Sequence, residues 1–250
     1  MILQEAIAPA QVAAAAERLP QMAPVAAGDW LRVDEAYGAQ LAEKARLIAA
    51  RRGDVIAVLP GAEAAAAELL EVVLEEIGRR ADFRVGRESV LRPDGVEAGI
   101  DRDDPLLTLS LLVQEDFCIH EKRGGEHVLT AALLCFPAAW TLAEKIGHPL
   151  SRIHAPVARY DGDVARRVQR MFDMLRPGRP LWRANLLRYD EPALFQPHRE
   201  ASPRPVGRPQ SPYLRSERQV ILRLPVTGAV VFSIHTTVVR CGGGGGDAVG

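Results

Sequence analysis

Over the first eighty residues the apolar positions recur at three- and four-residue intervals, which is the spacing of one helical face. The alanine-rich stretch from Pro9 to Leu19 predicts a first helix, and Gly28-Asp29-Trp30 interrupts the pattern. Asp34 then reads as an N-cap, and Tyr37, Leu41, Ala45 and Ile48 form a single stripe that Gly53 ends. After Pro60-Gly61 a further helix runs to about Ile77, burying Leu69, Leu70, Val73, Leu74 and Ile77 and turning Glu71, Glu75 and Glu76 to water.

From Asp82 the period shortens, Gly and Pro punctuate, and β-branched residues replace alanine. Strands are predicted over Leu106 to Val113, Val128 to Phe136, Leu181 to Tyr189, Val220 to Leu224 and Ala229 to Val238. The turn segment Pro225-Val226-Thr227-Gly228 makes the last two an antiparallel hairpin. A helix from Asp163 to Leu175 lies between the second and third strands, with Val164, Val168, Met171, Phe172 and Leu175 on one face and Arg166, Arg167 and Arg170 on the other. The expected fold is α+β. It has a helical region over 1–81, a domain over 82–240 with an antiparallel sheet of about five strands and inserted helices, and a disordered glycine-rich tail over 241–250. The Pro- and Arg-dense stretch from Pro197 to Pro212 is expected to be an exposed, mobile loop.

Composition narrows the function classes. A chain of 250 residues with a formal net charge of −1 is ordinary for a globular protein, and few aromatics interleave with its arginines, so nucleic-acid binding is not expected. The three cysteines, Cys118, Cys135 and Cys241, form no C-x-x-C pair, which removes a disulfide framework and an iron–sulfur site. No run nears the roughly 18 apolar residues of a membrane span, and the first residues lack the pattern of a signal peptide, so the expected location is cytoplasmic. Walker, dinucleotide, zinc-protease and nucleophile-elbow motifs are absent, and Gly124-Gly125 reads as a hairpin turn.

Among chemistry-bearing residues, His154 in Ile153-His154-Ala155-Pro156-Val157 is the leading candidate metal ligand, because apolar neighbours favour a neutral imidazole and Pro156 stiffens the loop. A core histidine satisfied by a carbonyl is the competing reading, and His235 in its strand is the rival ligand. His120, His127, His148 and His198 are expected to be solvated. Cys135 is a thiolate candidate, but burial favours an inert small hydrophobe. Arg218 and Arg223 present planar forks suited to carboxylates. Arg183 and Asn185 interrupt an apolar and aromatic strand, which suits the polar lining of a catalytic pocket.

Seven stretches, in order, resemble the haem-dependent oxidative N-demethylase family: Leu59-Pro60-Gly61-Ala62, Gln114-Glu115-Asp116-Phe117-Cys118, Phe136-Pro137-Ala138-Ala139-Trp140, Glu144-Lys145-Ile146-Gly147, Ile153-His154-Ala155-Pro156-Val157, Trp182-Arg183-Ala184-Asn185 and Glu217-Arg218-Gln219. The resemblance spans about Asp34 to Val238 and implies a Per-ARNT-Sim-like haem subunit, with haem b held by His154; the arginine forks of Arg218 and Arg223 suit its propionates. It also implies oxidation of a small secondary amine with O2, fed by partner subunits carrying flavin and iron–sulfur groups that use NADPH. Since this scaffold also serves sensing, a non-catalytic haem- or ligand-binding module is the alternative. Two features depart from the family pattern: His235 stands where an arginine is expected, and the glycine tail stands where a helical segment is expected.

Overall fold

The computed structural model describes residues 1–16, 22–155, 162–205 and 207–241, with the side chain of residue 163 left out. The predicted tail after Cys241, the end of the first predicted helix at 17–19 and the Pro156-Val157 pair all lie outside the described residues.

In chain order the elements are α1 (Pro9–Ala16), β1 (Ala23–Pro24), α2 (Tyr37–Val55), β2 (Ile56–Val58), α3 (Glu63–Gly78), β3 (Arg84–Val85), β4 (Ser89–Leu91), β5 (Glu97–Gly99) and α4 (Pro105–Leu112). They continue with β6 (Asp116–Arg123), β7 (Glu126–Leu133), α5 (Leu150–Ile153), α6 (Gly162–Met174), β8 (Leu181–Tyr189), β9 (Tyr213–Arg223) and β10 (Val230–Arg240). The fold is therefore α+β, and every pairing between named strands is antiparallel. Seven strands form the main sheet, in the order β1-β8-β9-β10-β6-β7-β2, and β3, β4 and β5 form a small second sheet. The expected five strands fall short because β1 and β2 are two- and three-residue edge pieces contributed by the helical N-terminal region. Short edges of this kind limit the backbone available for stray pairing.

One predicted strand is a helix. Leu106 to Val113 alternates Leu-Thr-Leu-Ser-Leu as a strand would, yet it folds as α4. Asp104 caps it, accepting from the Leu107 N–H at 3.4 Å, and Pro105 occupies the first turn, where its missing N–H is harmless. The strand of this region is β6 instead, joined to β7 by the expected Gly124-Gly125 turn, with Gly124 at φ +65°. Helix α2 passes Gly53 to end at Val55, with a break at Arg51 (φ −156°).

The sheet is covered on both faces. Helices α2, α3 and α4 bring Leu41, Leu69, Leu70, Val73 and Leu109 onto Phe117, Ile119, Val220, Leu222 and Val231 in the main core. On the other face Leu150 of α5 and Phe172 and Leu175 at α6 pack on Ile221 and Val230. Leu142 and Ile146 of the segment before α5, with Ile153 of α5 itself, cover Cys118, Leu129 and Ala132 beside them.

Candidate functional site

The face under α5 and α6 is where three of the predicted site residues, His154, Arg183 and Asn185, meet. Strand alternation puts Leu181, Arg183 and Asn185 on one side of β8, and their register partners Ile221, Gln219 and Glu217 continue that side on β9. Leu181 and Ile221 belong to the cluster that holds Leu150 and Phe172, so Arg183 and Asn185 face the layer that carries His154.

His154 caps the C-terminus of α5, half-buried, and its Nδ1 is 2.9 Å from the Leu150 carbonyl oxygen. A carbonyl only accepts, so Nδ1 carries the proton and Nε2 carries the lone pair. Burial, followed by the charges of Arg183 and Lys145, pushes the imidazole pKa below its ordinary value, with the Leu150 carbonyl opposing. The ring is therefore neutral near pH 7.

A charge clamp fixes α5. Lys145 donates to the Ile153 carbonyl at 2.8 Å and to Glu200 at 2.5 Å, and Arg152 grips the two Glu200 oxygens, each at 3.0 Å. Arg152 first and Lys145 second hold Glu200 down to about 2. Glu200 belongs to the loop expected to be mobile; that loop is largely exposed, but Glu200 ties it to the helix bearing His154.

Around Arg183 the polar groups satisfy one another. Arg183 Nε donates to Gln219 at 2.8 Å, Asn185 Nδ2 donates to Glu217 at 3.0 Å, and Gln219 Nε2 donates to the same Glu217 oxygen at 3.0 Å. Burial lowers the Arg183 pKa, opposed by Glu217.

Arg218 and Arg223 lie apart from this group. Arg218 shares its strand side with Val220 and Leu222, the opposite face of the sheet. Its guanidinium donates to the Trp30 and Asp29 carbonyls and stacks 5.2 Å from the Trp182 ring. Arg223 donates to the carbonyls of Phe172, Leu175 and Gly228, closing the C-terminus of α6.

The expectation that His120 and His127 are solvated is overturned, since they are 5% and 1% exposed. Phe172 of α6 lies edge-on to both rings, at 5.7 Å and 5.2 Å, and supplies cover that no local pattern announces. Burial first, then His127 and His154, pushes His120 down to about 3.

His235, the rival ligand, is 3% exposed between two carboxylates, with Nε2 at 3.0 Å from Asp34 and Nδ1 at 3.3 Å from Glu115. Only the Asp34 contact has hydrogen-bond geometry; the Glu115 contact is an ion pair off that alignment. Burial opposes the charge, but the two carboxylates outweigh it and lift the pKa to about 9. A protonated ring offers no lone pair to a metal. Asp34 is not the N-cap expected of it, since Ala36 holds that position without a side-chain cap; Asp34 accepts from the Ala36 N–H at 2.9 Å and is the counter-ion of His235. Burial pushes Cys135 and Cys118 up, so both thiols stay protonated.

Residues 21–242 match the family described as haem-dependent oxidative N-demethylase, alpha subunit-like. The chain belongs to this family. Within this family member, no group of three or more His, Cys, Asp and Glu side chains among the described residues converges as a metal cage. What His154 would offer a haem iron is one held, neutral imidazole. Among the described residues, no helix is long and apolar enough to cross a membrane.

Proposed function

We propose that this chain holds haem b through His154 and oxidises a small secondary amine to the primary amine and formaldehyde, as the haem subunit of a multicomponent monooxygenase. The observation that carries this reading is the His154 imidazole, neutral and fixed through Nδ1 by the Leu150 carbonyl, inside the stretch that matches the family. The haem, when bound, supplies oxygen activation. The chain's own residues hold and shape the site: Nδ1–H points the ring, the Lys145–Glu200–Arg152 clamp keeps α5 in place, and Arg183 and Asn185 give the sheet side its polarity. The domain over 82–240 is then a Per-ARNT-Sim-like haem fold. Electrons come from partner subunits with flavin and iron–sulfur groups, drawing on NADPH in the cytoplasm.

The test is the absorption spectrum of the purified protein after haem addition. His154→Ala is expected to lose the histidine-ligated spectrum while its far-UV circular dichroism stays unchanged. His235→Asn, in a stabilising buffer, should keep the spectrum. An unchanged haem spectrum in His154→Ala sinks the ligand assignment.

A further inference from the structure

We propose that a groove along the C-terminal half of α6 is the docking surface for an acidic protein partner. This rests on the proposed function, which needs an electron-delivering partner, and goes beyond it by placing that partner's footprint. The groove is open to solvent, with a volume of about 680 Å³, and its apolar lining is Met171, Met174, Leu175 and Leu181. Arg167 and Arg170 on the helix, with Arg176 and Arg179 on the turn that follows, form its rim.

Charge is segregated here. From Gly162 to Arg179 the sequence holds five arginines and two aspartates, a local net charge of +3 in a chain of −1, so the remainder carries −4. Asp173 is already paired with Lys122. Among the described residues none of the four rim arginines forms an ion pair, so their charge is available to a partner. Four unpaired guanidinium groups spread around an apolar floor match a protein surface with scattered carboxylates and a central apolar anchor. Met174 suits the floor of such a contact: it is 72% exposed, and thioether side chains adapt to varied surfaces.

Position supports the assignment. The inward side of α6 presents Phe172 to His120 and His127, and Leu150 of α5, the helix that His154 caps, lies in the same cluster. Met171, Leu175 and Leu181 of the groove belong to or pack on that same cluster, so a partner seated there borders the layer that holds Leu150.

The experiment measures binding of the full chain, without added haem, to an acidic plant-type [2Fe–2S] ferredoxin as probe, at low and high ionic strength. Binding is expected at low salt and should fall about tenfold or more at high salt, as rim electrostatics require. Arg170→Glu combined with Arg176→Glu should weaken it about tenfold, and Met174→Glu alone about threefold, at unchanged urea midpoint. Should the double variant fail to fold, Met174→Glu alone decides. Reversing Arg84 and Arg87 on the small sheet should leave binding intact. Absence of ferredoxin binding at low salt, or binding indifferent to the groove variants, overturns the proposal. Saturable binding of laurate or a short DNA duplex in the groove without ferredoxin binding does the same. Because haem plays no part in this readout, loss of the haem assignment at His154 would leave the result interpretable.

Discussion

His235 and His120 are both buried in the main sheet and titrate in opposite directions. At His235 the folded pKa is about 9 against an ordinary 6.5, so the folded protein holds a proton that the unfolded chain releases. Its contribution is full below pH 6.5 and disappears as pH rises through 9, at most about 3 kcal/mol from a shift of this size. At His120 the folded pKa is about 3, so below 6.5 the unfolded chain takes up a proton that the folded protein refuses. Stability therefore falls as pH drops from 6.5 toward 3. Urea midpoints measured across pH should peak near 6.5. His120→Phe should flatten the acid limb, and His235→Asn the alkaline limb. At pH 7, His235→Ala should cost about 3 kcal/mol, because Glu115 would be left buried, and Asp34 half-buried, without their counter-ion. An arginine, expected here from the family pattern, would carry the same positive charge; the histidine makes that charge sensitive to pH.

Among the elements, α6 has two fastenings that can be tested separately. Phe172, 4% exposed, is its main anchor, and Phe172→Ala should cost about 3–5 kcal/mol while exposing His120 and His127. Arg223→Met removes three hydrogen bonds to carbonyls at the helix end and nearby turn, on the order of 2 kcal/mol, with faster amide exchange near Leu175 as the local readout. Helix α2 is tied to β6 through Lys44, which is fully buried, donates to the Glu115 carbonyl at 2.5 Å and lies 3.0 Å from Asp116. Lys44→Met should cost about 3–5 kcal/mol in urea unfolding, and adding Asp116→Asn should restore a good part of it. What the sequence made legible follows the same division. Stripes on α2, α3 and α6 and the limits of β8 were readable from their recurring apolar positions, although the buried face of α2 also holds Gln40 and Lys44. Helix α4 was not, since its leucines alternate with Thr108 and Ser110 and the deciding signal is the Asp104-Pro105 start. The polar parts of the site were harder still. His154, Arg183 and Asn185 stood out among apolar neighbours, whereas Glu200 and Glu115 gained their roles from partners on distant segments.

At the scale of the whole molecule, the order β1-β8-β9-β10-β6-β7-β2 places the last described strand between two earlier pairs. Within the main sheet the hairpin of β6 and β7 and the pair β8 with β9 are joined by β10, whose Val238 also exchanges hydrogen bonds with Gln4. Such long-range pairing makes folding slow compared with a helical bundle of the same size. It also orders events during synthesis. While β10 is still inside the ribosome, β6 and β9 each present a bare strand edge, so a nascent chain halted before Val230 exposes two templates for aggregation. A chain ending at Gly228 should accumulate as insoluble material that holdase chaperones bind, and supplying residues 229–241 as a separate peptide should rescue part of it. Recovery of soluble, monomeric protein from the shortened chain alone would contradict this. As β10 is the last of the described strands to be made and joins both halves, a longer pause between β9 and β10 during synthesis is expected to lower the yield of folded protein.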